Sequence, residues 1–133
     1  MTIQEKILDQ IPAVSKELLI NSQITEANNI LSRQNLKIKN CILSTLPISN
    51  IYATQSGDDY QNDSSKFDAT IFNEVKNGSK NFENVRLESF RPIVVNKKSM
   101  EIIDGNHRHY ALRSIGEQNI LVLLCETEVI EFI

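Results

Sequence analysis

The feature that most restricts the fold is the succession of apolar runs and turn residues between Arg91 and Cys125. Pro92-Ile93-Val94-Val95 is a short apolar strand, Asn96-Lys97-Lys98-Ser99 a polar turn, and Met100-Glu101-Ile102-Ile103 a second strand, which together spell a β-hairpin. Asp104-Gly105 then turns the chain. Asn106 is a favoured N-cap residue, and residues 107–115 read as a helix that Gly116 closes with a left-handed C-cap. Ile120-Leu121-Val122-Leu123-Leu124-Cys125 is apolar at every position and has the length of a buried strand. A hairpin, a helix and such a strand in succession require a sheet covered by helices. The class is therefore α+β or α/β with a small mixed sheet, of which α+β is the expectation.

Upstream, the segment Ile3 to Gln34 reads as helical. Ile3, Ile7, Leu8 and Ile11 recur at helix spacing until Pro12 interrupts. A second helix has Val14, Leu18, Leu19, Ile24, Ala27, Ile30 and Leu31 as its inner face, with Lys16, Glu17, Gln23, Glu26 and Asn28 outside. Asn21-Ser22, both good capping residues, can split it in two. Residues 1–36 form an N-terminal helical extension suited to packing or dimerisation, and residues 37–133 the main domain. Leu36-Ile38-Cys41-Leu43 and Leu46-Ile48-Ile51, with Pro47 between them, predict a strand and then a turn or short edge strand. Thr54 to Lys66 is a polar loop, Phe67 to Asn77 a short helix ended near Gly78, and Ser79 to Arg91 has no clear pattern.

Charge disfavours one class of partner. The net charge is -3 and the pI about 5.4, with Lys and Arg scattered. A domain that binds duplex DNA alone draws most of its affinity from a basic face, so such binding is not favoured. No apolar run approaches the roughly 20 residues of a membrane helix. The polar, amphipathic N-terminus lacks the pattern of a secretory signal. Cys41 and Cys125 form no Cys-x-x-Cys pair and read as two buried thiols in a reducing, cytoplasmic setting.

The chemistry concentrates where the hairpin meets its helix. A strand ends, Asp104 sits at its mouth, Gly105 turns the chain without a Cβ, and Asn106 opens the helix. The first helical turn directs backbone amides and the positive end of the dipole outward, an arrangement that attracts anions. Arg108 can add a forked contact to a phosphate, while Asp104 can hold a divalent cation or accept a proton. Asp-Gly is also a common turn and Asn a common cap, so spacing alone leaves a purely structural reading open. Arg91, at the mouth of its strand, is either a second phosphate contact or a surface charge. His107 reads as a pocket residue and His109 as solvent-facing or partly packed. Two apart on a helix, they do not converge on one metal. Asp58, Asp59, Asp63 and Asp68 lack calcium-loop spacing and read as a solvated loop or a lid that supplies a carboxylate.

The run Pro92 to Val95, the hairpin, and Ile102-Ile103-Asp104-Gly105-Asn106-His107-Arg108-His109-Tyr110-Ala111 resemble the ParB/sulfiredoxin-like superfamily across about residues 37–127. There a Gly-x-x-Arg-x-x-Ala segment at a helix start binds nucleotide phosphates. The matching positions are Gly105, Arg108 and Ala111. Sulfiredoxins carry a catalytic cysteine where this chain has Asn106, so sulfinic-acid repair is not expected. Partition ParB proteins carry Gly-Glu-Arg-Arg and append a helix-turn-helix. This sequence has Gly105-Asn106-His107-Arg108 and stops at Ile133, so DNA clamping is not expected. The free serine kinases and DGQHR-type proteins of this fold share the Asp-Gly-x-His-Arg frame of Asp104, Gly105, His107 and Arg108. That likeness implies ATP or CTP as ligand with Mg²⁺. Asp104 would be metal ligand or general base, His107 a catalytic group contacting phosphate, and Gly105, Asn106, Arg108 and Arg91 the phosphate-binding residues. It implies nucleotide hydrolysis or phosphoryl transfer, or else a non-catalytic binding or regulatory module in DNA maintenance, phage or defence systems.

Overall fold

The apolar run Ile120–Cys125 is the middle of the sheet. A computed structural model describes residues 1–54, 69–78 and 86–131. Four strands lie in the order β1-β4-β2-β3, where β1 is Leu36–Pro47, β2 Ile93–Asn96, β3 Ile102–Asp104 and β4 Asn119–Val129. β4 pairs antiparallel with β1 and parallel with β2, and β2 pairs antiparallel with β3 as a hairpin. The sheet is therefore mixed and the fold α+β.

Because β4 has strands on both sides and helices on both faces, every residue of its run has a buried direction to point in. Ile120 and Val122 join Ile93, Val95 and Ile102 on one face, and Leu123 and Cys125 join Val94 on the other. Three helices cover the first face. α1 (Ile3–Leu8) contributes Ile3 and Ile7, α3 (Ala69–Gly78) contributes Val75, and α4 (Asn106–Ser114) contributes Ala111 and Leu112. The second face is covered by α2 (Ala13–Ser32) through Ala27, Ile20 and Ile24. The helices of residues 1–36 thus supply side chains to both cores.

Local chemistry explains the element ends. Thr2 and Glu5 form a capping box that starts α1. Gly116 has φ +87, with its N–H on Arg113 O at 3.1 Å and the Glu117 N–H on Leu112 O at 3.1 Å. Those paired bonds are the Schellman closure expected of a glycine after α4.

Several expectations need correction. α2 runs unbroken through Asn21-Ser22, where the Ser22 hydroxyl donates to Leu19 O at 2.7 Å within the helix rather than capping a new one. Its buried stripe is Gln23, Ala27 and Leu31, while Val14 and Leu18 are 69% and 65% exposed. The anticipated strand and turn from residue 36 are one 12-residue strand to Pro47, with a register shift between Ile38 and Asn40. That bulge is why the apolar spacing steps from Ile38 to Cys41. α3 spans Ala69–Gly78. Phe67 and the loop 55–66, including Asp58, Asp59 and Asp63, lie outside the described residues, as do Asp68 and residues 79–85. Among the described residues no helix is long and apolar enough to cross a membrane.

Gln4 ties the N-terminus to the sheet. It is fully buried; its Nε2 donates to Arg91 O at 3.1 Å and Leu121 O at 3.2 Å, and its Oε1 accepts from the Leu121 N–H at 2.7 Å. Removing this amide strands backbone groups of two segments away from water. Gln4→Ala is expected to cost about 2–4 kcal/mol in urea unfolding. Gln10→Ala, at an exposed residue that bonds only within its own turn, should stay within about 0.5 kcal/mol.

Candidate functional site

The start of α4 is built around a buried guanidinium. β3 ends at Asp104, and Gly105 takes φ +112 and ψ 22 as the helix N-cap. A Cβ there would lie 2.9 Å from Arg108 Nη2 and 3.1 Å from Ile93 Cδ1. Glycine is needed both for the left-handed backbone and because the Arg108 side chain folds back against it. The first helical bond runs from the His109 N–H to Gly105 O at 2.8 Å.

Asn106 is the first helical residue and not the cap, a correction to the sequence reading. A left-handed glycine has taken the N-cap position, so the Asn106 side chain turns outward to Thr54. Its Oδ1 accepts from the Thr54 N–H at 3.0 Å and its Nδ2 donates to Thr54 Oγ1 at 2.8 Å. Asn106 therefore fixes the chain just before residue 55 against the helix start. Next to this clamp is a cavity of about 220 Å³, lined in part by Thr54, Glu101, Ile102, Ile103 and Leu31.

Arg108 is 4% exposed. Its Nη2 donates weakly to Pro92 O at 3.4 Å and stands 4.0 Å from Asp104 Oδ2, while its Nε has no hydrogen-bond partner among the described residues. Burial and the neighbouring Arg91 charge lower its pKa to about 10, with Asp104 and Glu26 opposing the shift. It remains a cation at neutral pH with unused donor capacity, which a buried group rarely keeps.

Arg91 is not a free surface charge. Its side chain is 17% exposed, its Nε donates to Glu88 O at 3.0 Å, and its Nη1 stands 3.4 Å from Glu26 Oε2. Glu26 comes from α2, and one helical turn before it Gln23 is fully buried and donates to Pro92 O at 2.7 Å. The same carbonyl thus receives Gln23 and Arg108. Sequence reasoning missed Gln4, Gln23 and Glu26. The available signal was a glutamine in register with Ala27 and Leu31 on the inner stripe of α2.

The histidines diverge. His107 is half-buried. His109, expected to be solvent-facing or partly packed, is 4% exposed, with no partner for its Nε2 among the described residues. Burial, aided by the charge of Arg113, lowers its pKa to about 4, so it is a neutral core residue. Asp104 is a single half-buried carboxylate, and among the described residues no three metal-binding side chains gather. Such a donor set fits Mg²⁺ only as an ion carried mainly by phosphate oxygens, with Asp104 as one protein ligand.

No family model, curated protein or solved structure matches this chain.

Two consequences are measurable. Gly105→Ala forces a left-handed alanine into contact with Arg108, and should destabilise the fold by about 1–3 kcal/mol in chemical denaturation. His109 binds its proton less readily folded, at about 4, than at its ordinary 6.5. Its contribution is therefore present above pH 6.5 and lost as pH falls toward 4, by up to about 3 kcal/mol. Urea unfolding at pH 7 and at pH 4.5 should show this loss in wild type and a smaller one in His109→Gln.

Proposed function

We propose that the protein is a small cytoplasmic nucleotide-binding protein of the ParB/sulfiredoxin-like type, in which the start of α4 receives the phosphates of ATP or CTP. The observation that carries this reading is the buried Arg108 guanidinium, folded against Gly105 with an Nε lacking a partner among the described residues. A phosphate is the anion whose several oxygens suit such a fork. The Asp-Gly-x-His-Arg frame supports the same ligand.

In this reading Arg108 and Arg91 neutralise phosphate charge, and Gly105 leaves the room in which the Arg108 fork is held at the helix start. Asn106 holds Thr54 at the rim, His107 contacts phosphate, and Asp104 holds the cation or takes a proton from an attacking hydroxyl. Bound Mg²⁺ would supply further charge neutralisation. Phosphoryl transfer draws mainly on positioning and electrostatics, which this set of residues is suited to provide. The exposed Val14 and Leu18 on α2 would give two copies a surface on which to pair.

A second reading has a specific observation behind it. Glu26 already offers its carboxylate to Arg91, at 3.4 Å, from a helix that caps the site. A site so guarded suits a non-catalytic binding or regulatory module, of use in DNA maintenance, phage or defence systems, that engages its nucleotide without turning it over. The acidic net charge keeps duplex DNA disfavoured as its direct partner.

Thermal shift with ATP and with CTP, with and without Mg²⁺, tests the nucleotide site, and phosphate release by wild type and Asp104→Ala separates the two readings. Arg91→Gln should weaken binding about tenfold, as expected for loss of one charged hydrogen bond. Glu26→Gln should tighten it several-fold by removing a competing carboxylate. Absence of any shift at millimolar nucleotide, with Glu26→Gln equally silent, would sink the proposal; binding without turnover selects the module.

A further inference from the structure

Cys41 and Cys125 are distant in sequence but face each other directly across the β1–β4 ladder. Opposed residues of an antiparallel pair point to the same side of the sheet. Here that side is the one α2 covers: Cys125 belongs to the cluster of Ala27, Val94 and Leu123, and Cys41 packs at its margin. Both are free thiols, Cys125 fully buried and Cys41 half-buried. Facing antiparallel residues have Cα atoms about 4.5–5.5 Å apart, within the roughly 4.4–6.8 Å span that a disulfide bridges.

The two thiols have different surroundings. Cys125 Sγ donates to Leu123 O at 3.6 Å. Burial, and then the adjoining Cys41 thiol, pushes the Cys125 pKa up to about 12. The sulfur that solvent reaches is Cys41, and the one that stays protonated is Cys125. Accessibility therefore assigns the first exchange to Cys41, and the raised pKa of Cys125 slows the second, ring-closing attack.

We propose that Cys41 and Cys125 form a reversible disulfide site whose oxidant is a low-molecular-weight disulfide. The Cys41 thiolate attacks one sulfur of the small disulfide, whose S–S bond breaks to release one small thiolate. Cys125 then gives its proton to solvent base and attacks the Cys41 sulfur, expelling the second small thiolate. The two protein thiols lose two electrons and two protons, and one small disulfide becomes two thiols. The product is a covalent staple between edge strand β1 and central strand β4, beneath α2. It does not depend on the nucleotide reading, because neither cysteine touches the residues assigned to that site.

The test treats reduced wild type with oxidised glutathione, quenches with acid, alkylates free thiols under denaturing conditions, and measures intact mass and non-reduced peptides. The expected result is a monomer lighter by two hydrogens, with both thiols protected, a Cys41–Cys125 linked peptide and recovery by dithiothreitol. The rate should rise with pH above neutral. Cys125→Ser should stop at a glutathione adduct on Cys41, and folded Cys41→Ser should leave Cys125 unreacted. A wild type that keeps both thiols free, retains glutathione on Cys41, or cross-links two chains would overturn the proposal. The wild-type peptide map alone decides it if either variant fails to fold.

Discussion

A strand buried on both faces must be covered on both faces, and β4 imposes that requirement on everything else. Its centre, Ile120 to Cys125, has apolar side chains alternating up and down. Each apolar side chain withdrawn from water contributes about 1.5–3 kcal/mol, so leaving either face bare would forfeit a large part of the stability of a chain this size. α4 alone covers too little. α1 and α3 complete one layer and α2 forms the other, so the N-terminal helices are held by the same strand that orders the hairpin.

Closing both layers brings polar groups inside, and they are satisfied to different degrees. Gln4 is satisfied at both ends of its amide and acts as a structural peg. Gln23 and Arg108 converge on the Pro92 carbonyl, yet Gln23 Oε1 and Arg108 Nε have no hydrogen-bond partner among the described residues. An amide or guanidinium atom withdrawn from water without a partner costs of order 1–3 kcal/mol. The cost is greatest to accept at Arg108, which carries a charge beside Arg91. Arg108 and Arg91 stand together there, and Asp104 and Glu26 balance their two charges.

The two edges of the sheet are managed differently. β3 is bridged on its outer side at Tyr52, whose N–H donates to Met100 O and whose carbonyl accepts from the Ile102 N–H, both at 2.9 Å. The same segment leads to Thr54 and the Asn106 clamp, so the edge of the hairpin and the rim of the candidate site are one construction. β1 forms the other edge. There the bulge at Lys39 and the charge of Lys37 discourage further strand pairing.

What the chain alone determined was local. The hairpin, the Gly105 turn, the closure at Gly116 and the two-faced strand were all legible, because each rests on a backbone preference or a short period that neighbours in sequence impose. The candidate residues Asp104, Gly105 and Arg108 were legible for the same reason, since a strand, a turn and a helix start specify them within five positions. Tertiary structure decided which face of each helix is inside. Val14 and Leu18 are apolar yet exposed, and Gln23 is polar yet buried, because the sheet beneath α2, and not the helix itself, sets the inner stripe. It also decided that Glu26 meets Arg91, that His109 is neutral in the core, and that Cys41 faces Cys125. Those outcomes depend on strand order and register, which arise from packing distant segments together and leave no trace in the spacing of neighbouring residues.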